Sequence, residues 1–229
     1  MGAARGAVDG GVVNRSDLLD EVLTLLPSIA THVEVPAGEG VTDQGMQAPI
    51  GIVASGRIAV EVNVEGERRR TIALLQQGDA FVTPTTAWQG APGARMVAAT
   101  DSAVVLIGGT LEEVVAADPV VGAWVMCALA GAVADRELSA SIALEPRLER
   151  RLLLKLRQLA DRWGVVTSAG VRLDLRVTHQ ELADMVGAAR ESVTLAFGRL
   201  QEQGEIELRQ RTVIICHLDD QARVATEIA

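Results

Sequence analysis

Between Val33 and Ile107, short runs of Val and Ile are broken by Gly, Pro and Asp roughly every ten residues, a spacing that predicts an antiparallel sandwich or barrel. Ile50–Val53, Gly56–Val62, Thr71–Leu75 and Ala103–Ile107 read as strands, and Gly66 sits in a hairpin turn between Val64 and the run Arg68–Arg70. That basic run reads as a solvated strand edge, where charge blocks edge-to-edge pairing. Upstream, Ser16 can cap a short helix, Asp17 to Leu26, ended by Pro27. Beyond Gly108–Gly109 the period becomes helical. Leu111–Ala117 makes a short helix, and then Asp118 and Pro119 supply an N-cap and a first helical residue. The helix from Pro119 to about Ala143 would run about 37 Å. Val121, Trp124, Val125, Ala128, Ala132 and Leu138 approximate an apolar stripe, which a second copy of the helix is expected to cover.

Pro146 punctuates the chain, and Arg147–Trp163 is again amphipathic, with Leu148, Leu152, Leu156 and Leu159 on the buried side. Arg150, Arg151, Lys155 and Arg157 are expected to stay wet. Strand-like pieces follow around Val165 and at Val171–Leu175. Four regions result: an arm at 1–15, a β domain at 16–109, a helical connector at 110–145 and a C-terminal domain at 146–229.

The most specific stretch is Thr178 to Leu200. Thr178 and Glu181 have the spacing of a capping box, which starts a helix at His179. Gly187 supplies the left-handed residue that ends it and turns the chain. A second helix runs from near Ala189 to about Gln203. Ala183 is small enough for the two helices to cross closely, and Val193 fills the space between them, with Leu182, Val186, Ala196 and Leu200 around it. This is a helix-turn-helix layout, whose second helix is shaped for the DNA major groove. Glu205–Leu208 and Thr212–Cys216, joined by a turn at Gln210–Arg211, read as a β-hairpin wing.

Charge supports that division. The chain carries −9 overall, but unevenly. Residues 1–146 hold 8 basic and 18 acidic side chains, net −10, whereas residues 147–215 hold 12 and 9, net +3. A polyanion partner is therefore expected at the back of the chain. Aromatics are scarce, with Phe 2, Trp 3 and Tyr 0, which argues against base-stacking on single strands. Cys127 and Cys216 are too few for an all-cysteine zinc site or an iron–sulfur cluster and are expected to be packed. The residues before Gly11 lack the apolar run of a signal peptide, and the uncharged Pro119–Ala134 is short for a membrane span, so a cytoplasmic protein with no membrane contact is expected.

The run Val177-Thr178-His179-Gln180-Glu181-Leu182-Ala183-Asp184-Met185-Val186-Gly187, then Arg190-Glu191-Ser192-Val193, resembles the CRP/FNR superfamily of bacterial transcription regulators. Gly78–Asp79, Ser55-Gly56-Arg57 and the long central helix match the family's order. The resemblance implies an α+β chain: an N-terminal antiparallel β-roll of the cyclic-nucleotide-binding, jelly-roll kind, a long dimerisation helix and a C-terminal winged helix-turn-helix. It implies a homodimeric, sequence-specific DNA-binding regulator, not an enzyme, that reads a near-palindromic double-stranded site, with RNA polymerase a candidate further partner. Base reading falls to Arg190, Glu191, Thr194 and Leu195, Leu195 standing where members of the family carry a second Arg. Phosphate contacts fall to Thr178, His179, Gln180, Ser192, Arg209 and Arg211. The dimer interface falls to Val121, Trp124, Val125, Ala128 and Ala132.

The family's cyclic-AMP pocket needs Gly-Glu after the Gly-Asp turn and an Arg-Ser or Arg-Thr pair. Here the stretch is Ala80-Phe81-Val82-Thr83-Pro84-Thr85-Thr86, and Arg95 lies about two residues from the expected place. Ordinary cyclic AMP is not the expected effector. A shifted pocket would use Phe81, Thr83, Thr85, Thr86 and Arg95, and Trp88 could line an apolar one. The alternatives are a cyclic-nucleotide-responsive regulator with that shifted pocket and a non-DNA interaction module that keeps the fold. A jelly-roll metalloenzyme needs several converging His, and of His32, His179 and His217 only His32 falls in the β segment. No cofactor or metal is expected, and the effector is unassigned.

Overall fold

The computed structural model describes residues 30–41, 50–64, 68–82, 94–109, 112–113, 116, 118–209 and 212–216. The expected arm at 1–15, the helix Asp17–Leu26, the turn at Gly66, Trp88 and His217 lie outside them, as do the pocket candidates Thr83, Thr85 and Thr86 and the wing-tip Arg211.

Seven strands build the N-terminal domain: β1 Ala30–Val35, β2 Ile50–Ser55, β3 Arg57–Val64, β4 Arg68–Gln76, β5 Ala80–Val82, β6 Arg95–Ala98 and β7 Ser102–Ile107. They form two antiparallel sheets, ordered β1-β7-β2-β5 and β4-β3-β6. Alternation along the strands decides which side chain meets what. Val33, Val35, Val53, Val104 and Leu106 point between the sheets to meet Ile58, Met96 and Phe81. The next positions, Ile50, Ile52, Val105 and Ile107, point the other way. β7 is therefore buried on both faces, as its near-continuous apolar sequence requires.

Helix α1, Pro119–Ala143, covers that second face. Asp118 caps it, accepting from the Val120 N–H at 2.7 Å, with Pro119 in the first turn. Here the structure corrects the sequence reading. Val121, Trp124 and Val125, expected in an interface between subunits, are buried against this chain's own sheet, and Ala128 packs beside them. The reason is that α1 is apolar nearly all round, so its sequence does not single out one face. The exposed apolar side chains are instead Val120, Met126, Val133 and Leu138. Cys127, expected to be packed, is exposed, whereas Cys216 is half-buried. By length and composition alone α1 could cross a membrane, but its first third is the lid of the β-roll and Asp135, Arg136 and Glu137 interrupt it.

The C-terminal domain holds α2 Leu148–Trp163, α3 His179–Val186 and α4 Arg190–Glu202. Its sheet, β10-β11-β9-β8, is formed by β8 Gly164–Thr167, β9 Gly170–Leu173, β10 Ile206–Arg209 and β11 Thr212–Ile215. Leu152, Leu156 and Leu159 face its core as the periodicity predicts. Lys155 does not stay wet: it is 3% exposed. Its amine donates to Ser139 Oγ of α1 at 2.9 Å and to Gln158 Oε1 at 2.6 Å. The long helix lies over this flank of α2 and supplies Ser139, which periodicity within α2 cannot reveal, while Gln158 is a neighbour on α2 itself.

The two domains share a seam. Ala59 and Leu74 of the β-roll belong to the C-terminal core. The backbone N–H of Thr71, on the edge strand β4, donates to Asp184 of α3 at 3.4 Å. Arg162 of α2 forms ion pairs with Asp79 of the β-roll and with Asp135 of α1.

Candidate nucleic-acid interface

The interface is built upward from one cap and one turn. Thr178 Oγ1 accepts from the Glu181 N–H at 3.1 Å, and the Glu181 carboxylate accepts from the Thr178 N–H at 2.7 Å, closing the capping box. Gly187 then adopts φ 65° and ψ 45°, a conformation that would strain an L side chain. The Ala188 N–H reaches back to the Ala183 carbonyl at 2.9 Å, which fixes the angle at which α4 leaves. Leu182, Ala183, Val186, Val193, Ala196, Phe197 and Leu200 are all nearly fully buried where the two helices cross. Ala183 has no exposed surface, so a larger side chain there would force the helices apart.

One face of α4 is thereby fixed, and the opposite face points into solvent. Arg190, Glu191, Ser192, Thr194 and Leu195 are exposed, Leu195 at 66%. Neither the Arg190 guanidinium nor the Glu191 carboxylate has an ion-pair or hydrogen-bond partner among the described residues. Such groups can serve base edges: a guanidinium donates two hydrogen bonds to guanine O6 and N7, and a carboxylate accepts from cytosine N4.

The residues expected to touch phosphate are differently placed. The Thr178 hydroxyl is engaged with Glu181. Gln180 Nε2 donates to Asp184 Oδ1 at 2.9 Å. His179 Nδ1 lies 3.0 Å from Thr194 Oγ1, and its ring centroid is 5.0 Å from that of Phe197. Only Ser192 is open in the helices. On the wing, Arg209 is held by Glu207 through two contacts of 2.8 Å, which press its guanidinium still further toward the protonated state. The Glu207–Arg209 pair was missed in the sequence reading, although strand alternation puts residues two apart on one face.

Behind the helices the charges are paired. Arg199 of α4 binds Glu149 of α2. A backbone hydrogen bond first, and this guanidinium second, hold the Glu149 carboxyl below its usual range. Burial pushes the Asp161 carboxyl up. The Lys155 amine is lowered to about 8 by burial, against the opposing pull of Asp135.

The β-roll offers less chemistry. Phe81 is 3% exposed, and a Cβ at Gly51 would lie 2.2 Å from its ring, so Phe81 fills the roll's interior rather than lining an open pocket. Arg95 begins β6, half-buried and opposite Glu61. His32 is exposed on β1, and no group of three potential metal ligands exists among the described residues. Clefts are found instead at the C-terminal domain. One of about 340 Å³ lies between Arg57 of the roll and Arg176, and one of about 620 Å³ lies beside the wing, with Arg172 and Arg209 in its wall.

Residues 147–220 match the model of the Crp-like helix-turn-helix domain. A CRP-like cAMP-activated global transcriptional regulator of Mycobacterium tuberculosis is 25% identical over 198 residues, which cover 84% of this chain and 87% of that protein. A CooA variant from Carboxydothermus hydrogenoformans shares the fold with a TM-score of 0.72 at 20% identity, over 94% of this chain and 97% of that one. A transcriptional regulator of the CRP/FNR family from Thermus thermophilus shares it with a TM-score of 0.62 at 22% identity, over 86% and 98%.

Proposed function

We propose that the chain, whose residues 147–220 match the Crp-like helix-turn-helix domain, is a transcription regulator of the CRP/FNR type, as its similarity to the CRP-like regulator of Mycobacterium tuberculosis supports. It binds double-stranded DNA as a cytoplasmic homodimer, with one α4 in each half of a near-palindromic site and the two reading helices about 34 Å apart. Arg190 reads a guanine and Glu191 a cytosine on the partner strand. Leu195, which has no donor, lies against a thymine methyl. Ser192, Arg209 and Arg211 meet phosphates and set the register. A contact with RNA polymerase follows from the same reading.

The observation that carries this reading is the exposure of Arg190 and Glu191, without internal partners among the described residues, at the start of a helix whose other face is locked into a core. The exposed Val120, Met126, Val133 and Leu138 of α1 support a second copy as the cover for that helix. Ordinary cyclic AMP is not the effector in this reading, because Phe81 takes up interior space and the Gly-Glu and Arg-Ser pairs are missing.

Retardation of a duplex selected by the protein from random sequence tests the central assignment. Arg190→Ala should lose about ten- to a hundredfold in specific affinity while non-specific affinity falls far less. An unchanged specific complex would show that α4 is not the reading helix. Sedimentation of the free protein tests the dimer, and Met126→Glu together with Val133→Glu should shift it to monomer.

A further inference from the structure

The Thr194 hydroxyl is held from two sides. It donates to the backbone carbonyl of Arg190 at 3.0 Å, one helical turn back, and lies 3.0 Å from His179 Nδ1. A carbonyl can only accept, so the single hydroxyl proton of Thr194 is used there. With that proton on the carbonyl, the contact with His179 runs the other way, with Nδ1–H donating and Oγ1 accepting. This fixes the His179 tautomer, and the ring is steadied by Phe197 beneath it. A hydroxyl so placed has no proton left for guanine O6 or N7 or for thymine O4. With Oγ1 turned back along its own helix, the group Thr194 presents outward is its methyl. Leu195 stands beside it, two-thirds exposed and equally without a donor.

We propose that His179 and the Arg190 carbonyl together turn Thr194 into an apolar reader, which selects a thymine in the major groove by its 5-methyl group. His179 is then a positioning residue that sets base specificity through Thr194, rather than a phosphate contact. The inference rests on α4 being the reading helix and adds what its second exposed turn recognises: methyl groups beyond the bases taken by Arg190 and Glu191. Contact between a Thr methyl and the thymine methyl is sound groove chemistry.

The test uses the full chain and a duplex it has selected. Each thymine of one half-site is replaced in turn by uracil, which pairs identically but lacks the methyl. At the Thr194 position the loss should be about fourfold, the worth of burying one methyl. Thr194→Val, which keeps the shape and drops the hydroxyl, should bind within about twofold of the parent and keep the thymine-over-uracil ratio, whereas Thr194→Ser should lose that ratio. His179→Asn, whose amide can donate from near the Nδ1 position, should preserve the ratio. His179→Leu, which keeps contact with Phe197, should abolish it without lowering the melting temperature, an effect a merely structural histidine would not produce. A tenfold or greater loss in Thr194→Val, with uracil silent throughout the half-site, would assign the hydroxyl to a base amine and overturn the proposal. If the parent protein shows no preference among duplex sequences, the DNA-reading assignment itself fails, and this inference falls with it.

Discussion

The winged domain has two sides that treat the same residue types in opposite ways. On its solvent side, Arg190 and Glu191 stand exposed with no partner among the described residues. On the side turned toward the β-roll and α1, Arg162 is matched with Asp79 and Asp135, and within the domain the half-buried Arg157 is matched with Glu205. Desolvation explains the contrast. A charge that loses water must gain a partner within the protein, whereas one left in water can wait for a ligand to supply it. The back therefore holds the domain in place, and the front remains open for a polyanion.

The sharpest break of this contrast is at Arg162, whose side chain is 17% exposed and whose partner Asp79 is 8% exposed. Arg162→Ala leaves the Asp79 carboxylate without its guanidinium, although it still accepts from the Gln76 N–H at 2.7 Å. The expected loss is about 3 kcal/mol of unfolding free energy by denaturant titration. Adding Asp79→Asn should return part of it, since the second change removes the stranded charge. A loss below about 0.5 kcal/mol, as at ordinary exposed pairs, would mean that the back of the domain is no better coupled than its surface.

A smaller effect of opposite sign is expected at Lys155. Its amine falls from 10.5 in the ordinary state to about 8 in the fold because burial disfavours the charged form. Asp135, itself paired with Arg162, is the charged group that acts on it, and Ser139 and Gln158 are its neutral partners. The unfolded chain then binds more protons between about pH 8 and 10.5. Stability should rise with pH across that window and lose this contribution as pH falls through 8. Lys155→Met should remove the rise and be more stable than the parent by about 1 kcal/mol at pH 7, an advantage that fades toward pH 10. A less stable methionine variant would show that the hydrogen bonds to Ser139 and Gln158 outweigh the cost of burial.

These two sides were unequally legible in the sequence. The solvent side is set by local spacing: Thr178 with Glu181, Gly187 after α3, and Val193 in the crossing all sit where the pattern places them. The back depends on what is laid over it. Lys155 reads as wet in the period of α2 and is buried because α1 crosses it. Val121, Trp124 and Val125 read as a face for a second subunit and lie on the roll. β1, β5 and β6 were not singled out: all three are held at sheet edges, and β5 and β6 are also short. The His179–Thr194 contact joins two helices across a turn, which no single helical period contains.

The smallest expected effect probes a wing cation that is exposed and yet paired. Arg209 is exposed like Arg190, yet Glu207 grips it through two contacts of 2.8 Å. The pair is solvent-exposed on both members, so it adds little stability and is weakened by salt. Its consequence lies in binding: a carboxylate beside the guanidinium offsets the charge offered to a phosphate. Glu207→Gln keeps the shape and removes the negative charge. Affinity for duplex DNA should rise by about twofold, equally for specific and random sequences, and the dependence on salt should steepen by less than one counterion. A rise confined to one sequence would mean that the wing reads bases, and the division between a reading helix and a backbone-contacting wing would have to be redrawn.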